Sequence, residues 1–568
     1  MDIQVAGNAK KQTDPISIHS GSAAADEDVV LAKAWDKHNL LTFDGGGVRG
    51  YWSLLVLEKL MGYIGREEAA QENAQLHSFA PESHPDVVSQ VSLTEEAKLH
   101  QRYLPCHYFD YIGGTSTGGL IAIMLGRFRM TAKDCLMEYE KLAGRIFGNP
   151  RFFAQKRFLL SERPVYKAAN LEKVILEVIE RRKEQSASRV DMAFIPGLCR
   201  TFVTTIRTES TQPTVEKNYL IRSYNHHEPK SLSTSRRSTW KSGTTSRSFA
   251  GPSRQSTTLG GINKQRPTRS DTGLTMQTNG PKSRGYAIRD GRHTSKPKRD
   301  INYGEAWPFT VLEAARAATA AEFFFEKLTL PVHRPSEPTY FTDGGFGFQN
   351  NPTKVGIEEI EEKYGDSSVG VIVSIGTARE IKAKKSGFFS FRSKVENAFA
   401  KATNPEVVHT EIEARADYYD YYRLNNPGTL EVALDEWKPN DGWFKKLGER
   451  LKPGSKTMKA MQSNFHAWAA NEENVEKLQT CAKKLVQQRR GRTLDTAKWE
   501  RYASCAQFTC PFTKWDCQAF KVRDDFLGHL VETHEVPTEE LEGMADTCRT
   551  HWQYQGVRDG VSLHSPKS

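Results

Sequence analysis

Asn39-Leu40-Leu41-Thr42-Phe43-Asp44-Gly45-Gly46-Gly47-Val48-Arg49-Gly50 leads into Ser53-Leu54-Leu55-Val56-Leu57-Glu58-Lys59-Leu60-Met61. The first five residues form an apolar run of strand length, and the last nine carry apolar residues at helical spacing. The glycines between them allow a sharp turn. The pattern recurs where Tyr108-Phe109-Asp110-Tyr111-Ile112 runs into Gly114-Thr115-Ser116-Thr117-Gly118 and an apolar helix over 119–128. Further helices are expected over 132–147 and 171–183, strands over 200–206 and 218–224, and a helix over 311–321. Strand-like Tyr340-Phe341 precedes Asp343-Gly344-Gly345, and 369–375 is continuously apolar. Strands alternating with helices predict an α/β fold. A continuously apolar strand suits a mostly parallel sheet covered on both faces.

The three glycine turns also carry chemistry. Gly114-x-Ser116-x-Gly118 between strand and helix has the form of a nucleophile elbow, with its flanking glycines keeping side chains away from the serine. Gly45, Gly46 and Gly47, with Arg49 and the turn-closing Gly50, suit an array of backbone N–H groups aimed at an oxyanion. The rival reading of Gly45-x-Gly47-x-x-Gly50 is a dinucleotide site. It needs an acidic residue about 20 positions on at a strand end. Glu67 and Glu68 fall there, in a polar stretch. A serine hydroxyl needs a base. A Ser-Asp-His order would use Asp343 as the orienting acid and His409 as the base. His409, however, lies in a charged helical stretch without a turn signal, whereas Asp343-Gly344-Gly345 puts a carboxylate on a turn. A directly acting Asp343 fits better.

Asp44-Gly45-Gly46-Gly47-Val48-Arg49-Gly50, Gly114-Thr115-Ser116-Thr117-Gly118-Gly119 and Asp343-Gly344-Gly345, in this order, resemble the patatin-like phospholipases. Between and after them, the alanine-rich 313–321, Gln349-Asn350-Asn351-Pro352 and Val373-Ser374-Ile375-Gly376-Thr377 are similar to the same family. The resemblance spans roughly residues 39–378. It implies a three-layer α/β/α fold related to cytosolic phospholipase A2. It also implies hydrolysis of glycerolipid esters with no cofactor and no catalytic calcium. Ser116 maps to the nucleophile, Asp343 to the base, and Gly45–Gly47 with Arg49 to the oxyanion loop.

Charge is unevenly distributed. The 568-residue chain carries a net +10, yet residues 230–300 hold 16 Lys and Arg against 3 Asp and Glu, a local +13 that leaves about −3 elsewhere. That Ser/Thr/Arg/Gly-rich stretch cannot build a core and is expected to be a disordered basic insert over 229–300. The expected organisation is a disordered 1–35, a catalytic domain over 36–380 with a loop insertion at 66–98, and a helical extension over 381–500. A zinc-finger-like module over 501–540 and a tail over 541–568 follow. Met1-Asp2-Ile3-Gln4-Val5-Ala6 has no signal-peptide pattern, and no apolar run approaches the roughly 20 residues of a membrane span. The expectation is a cytoplasmic protein with peripheral membrane or lipid-droplet contact. Lys382–Arg392 interleaves cations and aromatics suited to an anionic lipid surface. Phe323-Phe324-Phe325 and Trp307-Pro308-Phe309 are candidates for an acyl groove.

At the far end, Cys510, Cys517, His529 and His534 are spaced as in a C2H2 zinc finger, with Phe520 and Phe526 at core positions. The gap between the cysteines, six residues, exceeds the usual two to four. The spacing predicts a structural zinc and a protein-contact role. A single finger reads only about 3 bp, so nucleic acid is an unfavoured partner. The alternative function is a regulatory protein that uses the finger and the basic insert to bind lipid or nucleic acid.

Overall fold

Leu41 and Phe43 pack into one apolar cluster while Leu40 packs into another. That alternation defines the architecture: a central sheet between two helical layers. The computed structural model describes residues 34–71, 103–148, 164–182, 190–193, 197–209, 215–226, 309–321, 324–330, 339–346, 350–379, 404–438, 454–504, 506–512 and 519–550. The expected insert at 229–300, the 382–392 stretch, Trp307, Phe323 and Cys517 lie outside them.

The strands are β1 (His38–Phe43), β2 (Tyr111–Thr115), β3 (Arg200–Glu209), β4 (Val215–Arg222), β5 (Leu328–Leu330), β6 (Thr339–Asp343), β7 (Val369–Ile375) and β8 (Asp420–Leu424). Their order is β5-β6-β3-β2-β1-β7-β8, with β4 also paired to β3. The run from β3 through β2, β1 and β7 to β8 is parallel, and β4, β5 and β6 join antiparallel.

Against one face pack α1 (Gly50–Ala70), α2 (Thr117–Ala122), α3 (Ala132–Phe147), α4 (Ala168–Glu180) and α5 (Val311–Ala318). The other face is covered by α6 (Thr353–Tyr364) and α7 (Pro405–Glu413), through Val355, Ile357, Ile360 and Ile412. Helix α5 starts with a capping box, Thr310 with Glu313, which satisfies amides that a helix start leaves open. Among the described residues no helix is long and apolar enough to cross a membrane.

Two features depart from the sequence reading. The domain boundary at 380 cuts the sheet, because β8 pairs in parallel with β7 well beyond it. Tyr421-Tyr422-Arg423 hides a strand behind polar letters, since Arg423 is buried in an ion pair. The insertion placed at 66–98 begins inside α1, which runs to Ala70. Glu68 is buried there and takes hydrogen bonds from Arg489 (2.9 Å), Arg490 (3.2 Å) and the Tyr108 hydroxyl (2.9 Å). Both arginines belong to α9 (Glu472–Arg492), which with α8 (Ser455–Ala469) adds Phe465, Leu478 and Leu485 to the first cluster.

Helix α10 (Thr496–Ser504) then docks beneath β2, its Tyr502 hydroxyl donating to the Phe109 carbonyl at 3.0 Å. The C-terminal module follows. It comprises β9 (Gln507–Phe508), α11 (Arg523–His534), α12 (Leu541–Cys548) and β10 (Arg549–Thr550), around Phe508, Phe526, Leu530 and Ala545. Arg523 and Arg549 both donate to the buried Glu500 of α10.

Candidate active site

Ser116 stands between the end of β2 and the start of α2 with φ 55° and ψ −128°. A non-glycine residue at positive φ is strained, and such strain clusters at functional turns. The turn is possible only because its neighbours lack side chains. A Cβ on Gly114 would lie 2.1 Å from the Gly118 carbonyl oxygen, and one on Gly118 would lie 2.6 Å from that of Phe43. Ser116 is buried except for a small opening.

The glycine loop after β1 passes directly beside this turn, since a Cβ on Gly45 would lie 3.1 Å from the Ser116 Cβ. Its backbone is fixed from several sides. The Asp44 amide donates to Ile375 at 3.0 Å, Gly45 to Asn350 at 3.1 Å and Val48 to Leu434 at 2.8 Å. The Gly47 carbonyl accepts from the Thr117 hydroxyl at 3.1 Å and the Tyr139 hydroxyl at 2.5 Å. The amides of Gly46 and Gly47 have no hydrogen-bond partner among the described residues. The Gly45 amide, expected as an oxyanion donor, is already used. The Arg49 guanidinium is directed to the Val432 carbonyl at 3.3 Å, as a strut of the loop. Gly47 has φ 57°, and a Cβ there would meet the Leu434 carbonyl oxygen at 2.0 Å.

Asp44, ahead of the loop, is held by a residue that sequence reasoning missed. Arg423 of β8 donates to Asp44 Oδ1 at 3.1 Å and Oδ2 at 2.6 Å, and also to Ser374 and Glu406. Burial pushes the Asp44 carboxyl up to about 6 even with Arg423 beside it. The same pairing raises the Arg423 pKa against its own burial, so we read the pair as ionised at neutral pH.

Asp343 ends β6 and is fully buried. Strand β3 sets its position relative to Ser116. Thr115 lies opposite Thr204 of β3, and Asp343 lies opposite Thr205. The Thr115 and Thr204 hydroxyls are 2.7 Å apart. Gly344 lets the turn press on β3, since a Cβ there would lie 2.9 Å from the Thr204 backbone. Asp343 Oδ1 accepts from the Gly345 amide at 2.8 Å. Burial pushes the carboxyl up to about 7, while the nearby Ser116 hydroxyl and the Gly345 amide pull it down. Asp343 Oδ2 is buried and has no hydrogen-bond partner of good geometry among the described residues.

The cleft over Ser116 is lined by Gly47, Phe147, Ala321, Phe324, Phe325 and Leu434. Of the expected groove aromatics, Phe324 and Phe325 are there, whereas Phe309 is core, packed on Tyr219 and Phe341. His409 partners Tyr421 at 3.2 Å and Glu413 at 3.6 Å, on α7 of the opposite helical layer. A serine near a buried carboxylate with one oxygen held by the Gly345 amide and the other open, two available amides and an apolar cleft can support acyl transfer.

Comparison with known proteins gives the same direction. The family model described as Patatin-like phospholipase matches residues 41–357. The chain is 23% identical over 401 residues to calcium-independent phospholipase A2-gamma of Oryctolagus cuniculus, covering 70% of this chain and 35% of that protein. The Mus musculus protein of the same name is 24% identical over 401 residues, covering 70% and 36%. A cGAMP-activated phospholipase of Vibrio cholerae serotype O1 is 25% identical over 179 residues, 31% of this chain and 39% of that one. The chain thus spans little more than a third of the length of these curated relatives. The family match ends before β8, so Arg423 and Leu434 lie outside it.

Proposed function

The chain belongs to the patatin-like phospholipase family, and from that premise we propose that it hydrolyses acyl esters of phospholipids or other glycerolipids through Ser116 and Asp343. The observation that carries this reading is the position of Ser116, at positive φ, across β3 from the carboxyl of Asp343, which burial pushes up toward neutrality.

In the proposed reaction, Asp343 takes the Ser116 hydroxyl proton as Oγ attacks the ester carbonyl carbon. The carbonyl oxygen becomes an oxyanion and accepts hydrogen bonds from the Gly46 and Gly47 amides, already fixed by the bonds around them. The intermediate collapses, the ester C–O bond breaks, and the departing lysolipid alkoxide takes the proton from Asp343. Water then attacks the acyl-serine carbonyl while Asp343 accepts its proton. Fatty acid leaves as Ser116 recovers its hydrogen. Each step uses protein side-chain and backbone groups, without calcium.

The cleft aromatics suit an acyl chain. The basic stretch at 229–300 supports peripheral docking on anionic lipid, and replacing it with a Gly/Ser linker should weaken binding to anionic vesicles, most at low salt. Equal binding by both proteins would remove that part of the reading. The catalytic assignment is tested with a fluorophosphonate probe and a glycerophospholipid substrate. The wild-type chain should be labelled and release fatty acid, and Ser116→Ala should do neither. Equal labelling of both would overturn the assignment.

A further inference from the structure

The C-terminal module brings together three groups that the reaction does not use. The geometry points to a zinc site formed by Cys510 Sγ, His529 Nε2 and His534 Nε2, structural in role and separate from Ser116. Cys510 Sγ lies 3.2 Å from His534 Nε2, and the two imidazole Nε2 atoms lie 3.2 Å apart. All three ligand atoms lie within 4.8 Å of one another. Around a tetrahedral zinc, two bound nitrogens stand about 3.3 Å apart, and sulfur and nitrogen about 3.6 Å, from bond lengths of about 2.05 and 2.3 Å. The observed spacings come within a few tenths of an ångström of those edges.

The surroundings supply independent support. Nδ1 of His529 is engaged by the Thr533 hydroxyl at 3.2 Å, which turns its Nε2 toward the cluster. Such an outer contact commonly fixes the ligating nitrogen of a histidine. Phe520 lies against the His529 ring at 4.7 Å, and Phe512 stacks on His534 at 4.3 Å, so two aromatic faces shield the cluster. The frame is a small ββα unit. Phe508 and Phe520 are bridged antiparallel, and Phe526 of α11 packs on both at 5.4 and 5.6 Å. The helix ends at His534, with Glu535 in the left-handed conformation at φ 53°. A core this small commonly draws folding energy from a metal. Cys517, outside the described residues, is the residue from which the sequence spacing expects a further thiolate.

The test uses the full-length chain, stripped with chelator and dialysed, then titrated with Co2+ and with Zn2+. One equivalent should bind, and the cobalt form should show tetrahedral d–d absorption with a thiolate-to-metal charge-transfer band. Cys510→Ser and His534→Ala should lose that uptake while keeping soluble-ester hydrolysis, which reports that the rest of the chain has folded. The wild-type spectrum stands on its own should either variant misfold. No uptake by the wild type, a spectrum lacking the thiolate band, or unchanged uptake in both variants would overturn the site.

Discussion

Arg423 grips Asp44 with both terminal nitrogens, across 379 residues of sequence. The pair ties β8 to the residue that opens the glycine loop, and both partners are buried. Removing one partner of a buried ion pair strands the other charge and typically costs about 3–5 kcal/mol. Arg423→Met is therefore expected to lower the melting temperature by several degrees, since each kcal/mol shifts a domain larger than about 250 residues by no more than about 2–4 °C. Ester hydrolysis should fall with it, because the loop loses its anchor. A variant that melts with the wild type would show that Arg423 does not hold the loop.

Asp343 predicts a pH dependence with a defined sign. Its carboxyl is raised to about 7 by burial, and the base must be ionised to act. kcat/KM should therefore fall about tenfold per pH unit below 7 and level off above it. Stability runs the other way. The folded pKa lies above the unfolded value, so the protonated carboxyl stabilises the fold at low pH, and that contribution is lost as pH rises from about 4 through 7. Asp343→Asn should be inactive, and at pH 8 more stable than wild type by up to about 4 kcal/mol, three units at 1.36 kcal/mol each. The difference should vanish near pH 4. Denaturant melts at the two pH values check this, and a variant less stable at pH 8 would contradict it.

The sequence exposed those parts of the site that constrain residue type. Ser116, Asp343 and the glycines beside them stand out because close backbone approach and a positive φ at Gly47 exclude most side chains. The alternation of strands and helices likewise marked the layered sheet. Parts made of backbone stayed hidden. The Leu434 carbonyl that fixes Val48 could come from any residue, and Thr204 and Thr205 act as a spacer through register alone. Strand β8 and the end of α1 were obscured for another reason. Arg423 and Glu68 read as surface residues, because the oppositely charged partners that make their burial tolerable, Asp44 and Arg489, lie hundreds of positions away in the sequence.

His409 offers a direct test of the base. It pairs with Tyr421 and Glu413, and burial lowers its pKa. His409→Ala should change kcat/KM by less than about tenfold, roughly 1.4 kcal/mol of barrier. A variant as inactive as Ser116→Ala would require a histidine in the reaction and would displace Asp343 as the base.

Gly47 separates an oxyanion role from mere loop packing. Ala at this position meets a positive φ and the Leu434 carbonyl oxygen. The loop must shift, and its amides with it. Loss of one oxyanion donor costs about 10²–10³ in kcat. Gly47→Ala should show that loss in kcat with a smaller change in KM, while Ser116 remains in a folded protein by circular dichroism. Unchanged kcat would remove the glycine loop from transition-state stabilisation.

Phe324 and Phe325 should set which acyl chains fit. Both line the cleft over Ser116, and both pack on Tyr166, with ring centroids at 6.4 and 5.6 Å. Tyr166 in turn donates to Asp435 at 3.1 Å, one residue after Leu434, whose carbonyl fixes the glycine loop. The aromatic wall and the loop are thus braced by the same short stretch of chain. Phe325 is buried and Phe324 partly exposed, so Phe324 can be truncated with less damage to the core. Phe324→Ala should widen the cleft and move the chain-length optimum of a p-nitrophenyl ester series toward longer acyl groups. Each methylene newly accommodated is worth up to about 0.8 kcal/mol, close to fourfold in kcat/KM. Short esters that do not reach the wall should be hydrolysed as before. If the whole series falls by a common factor instead, Phe324 supports the fold of the site without contacting the acyl chain.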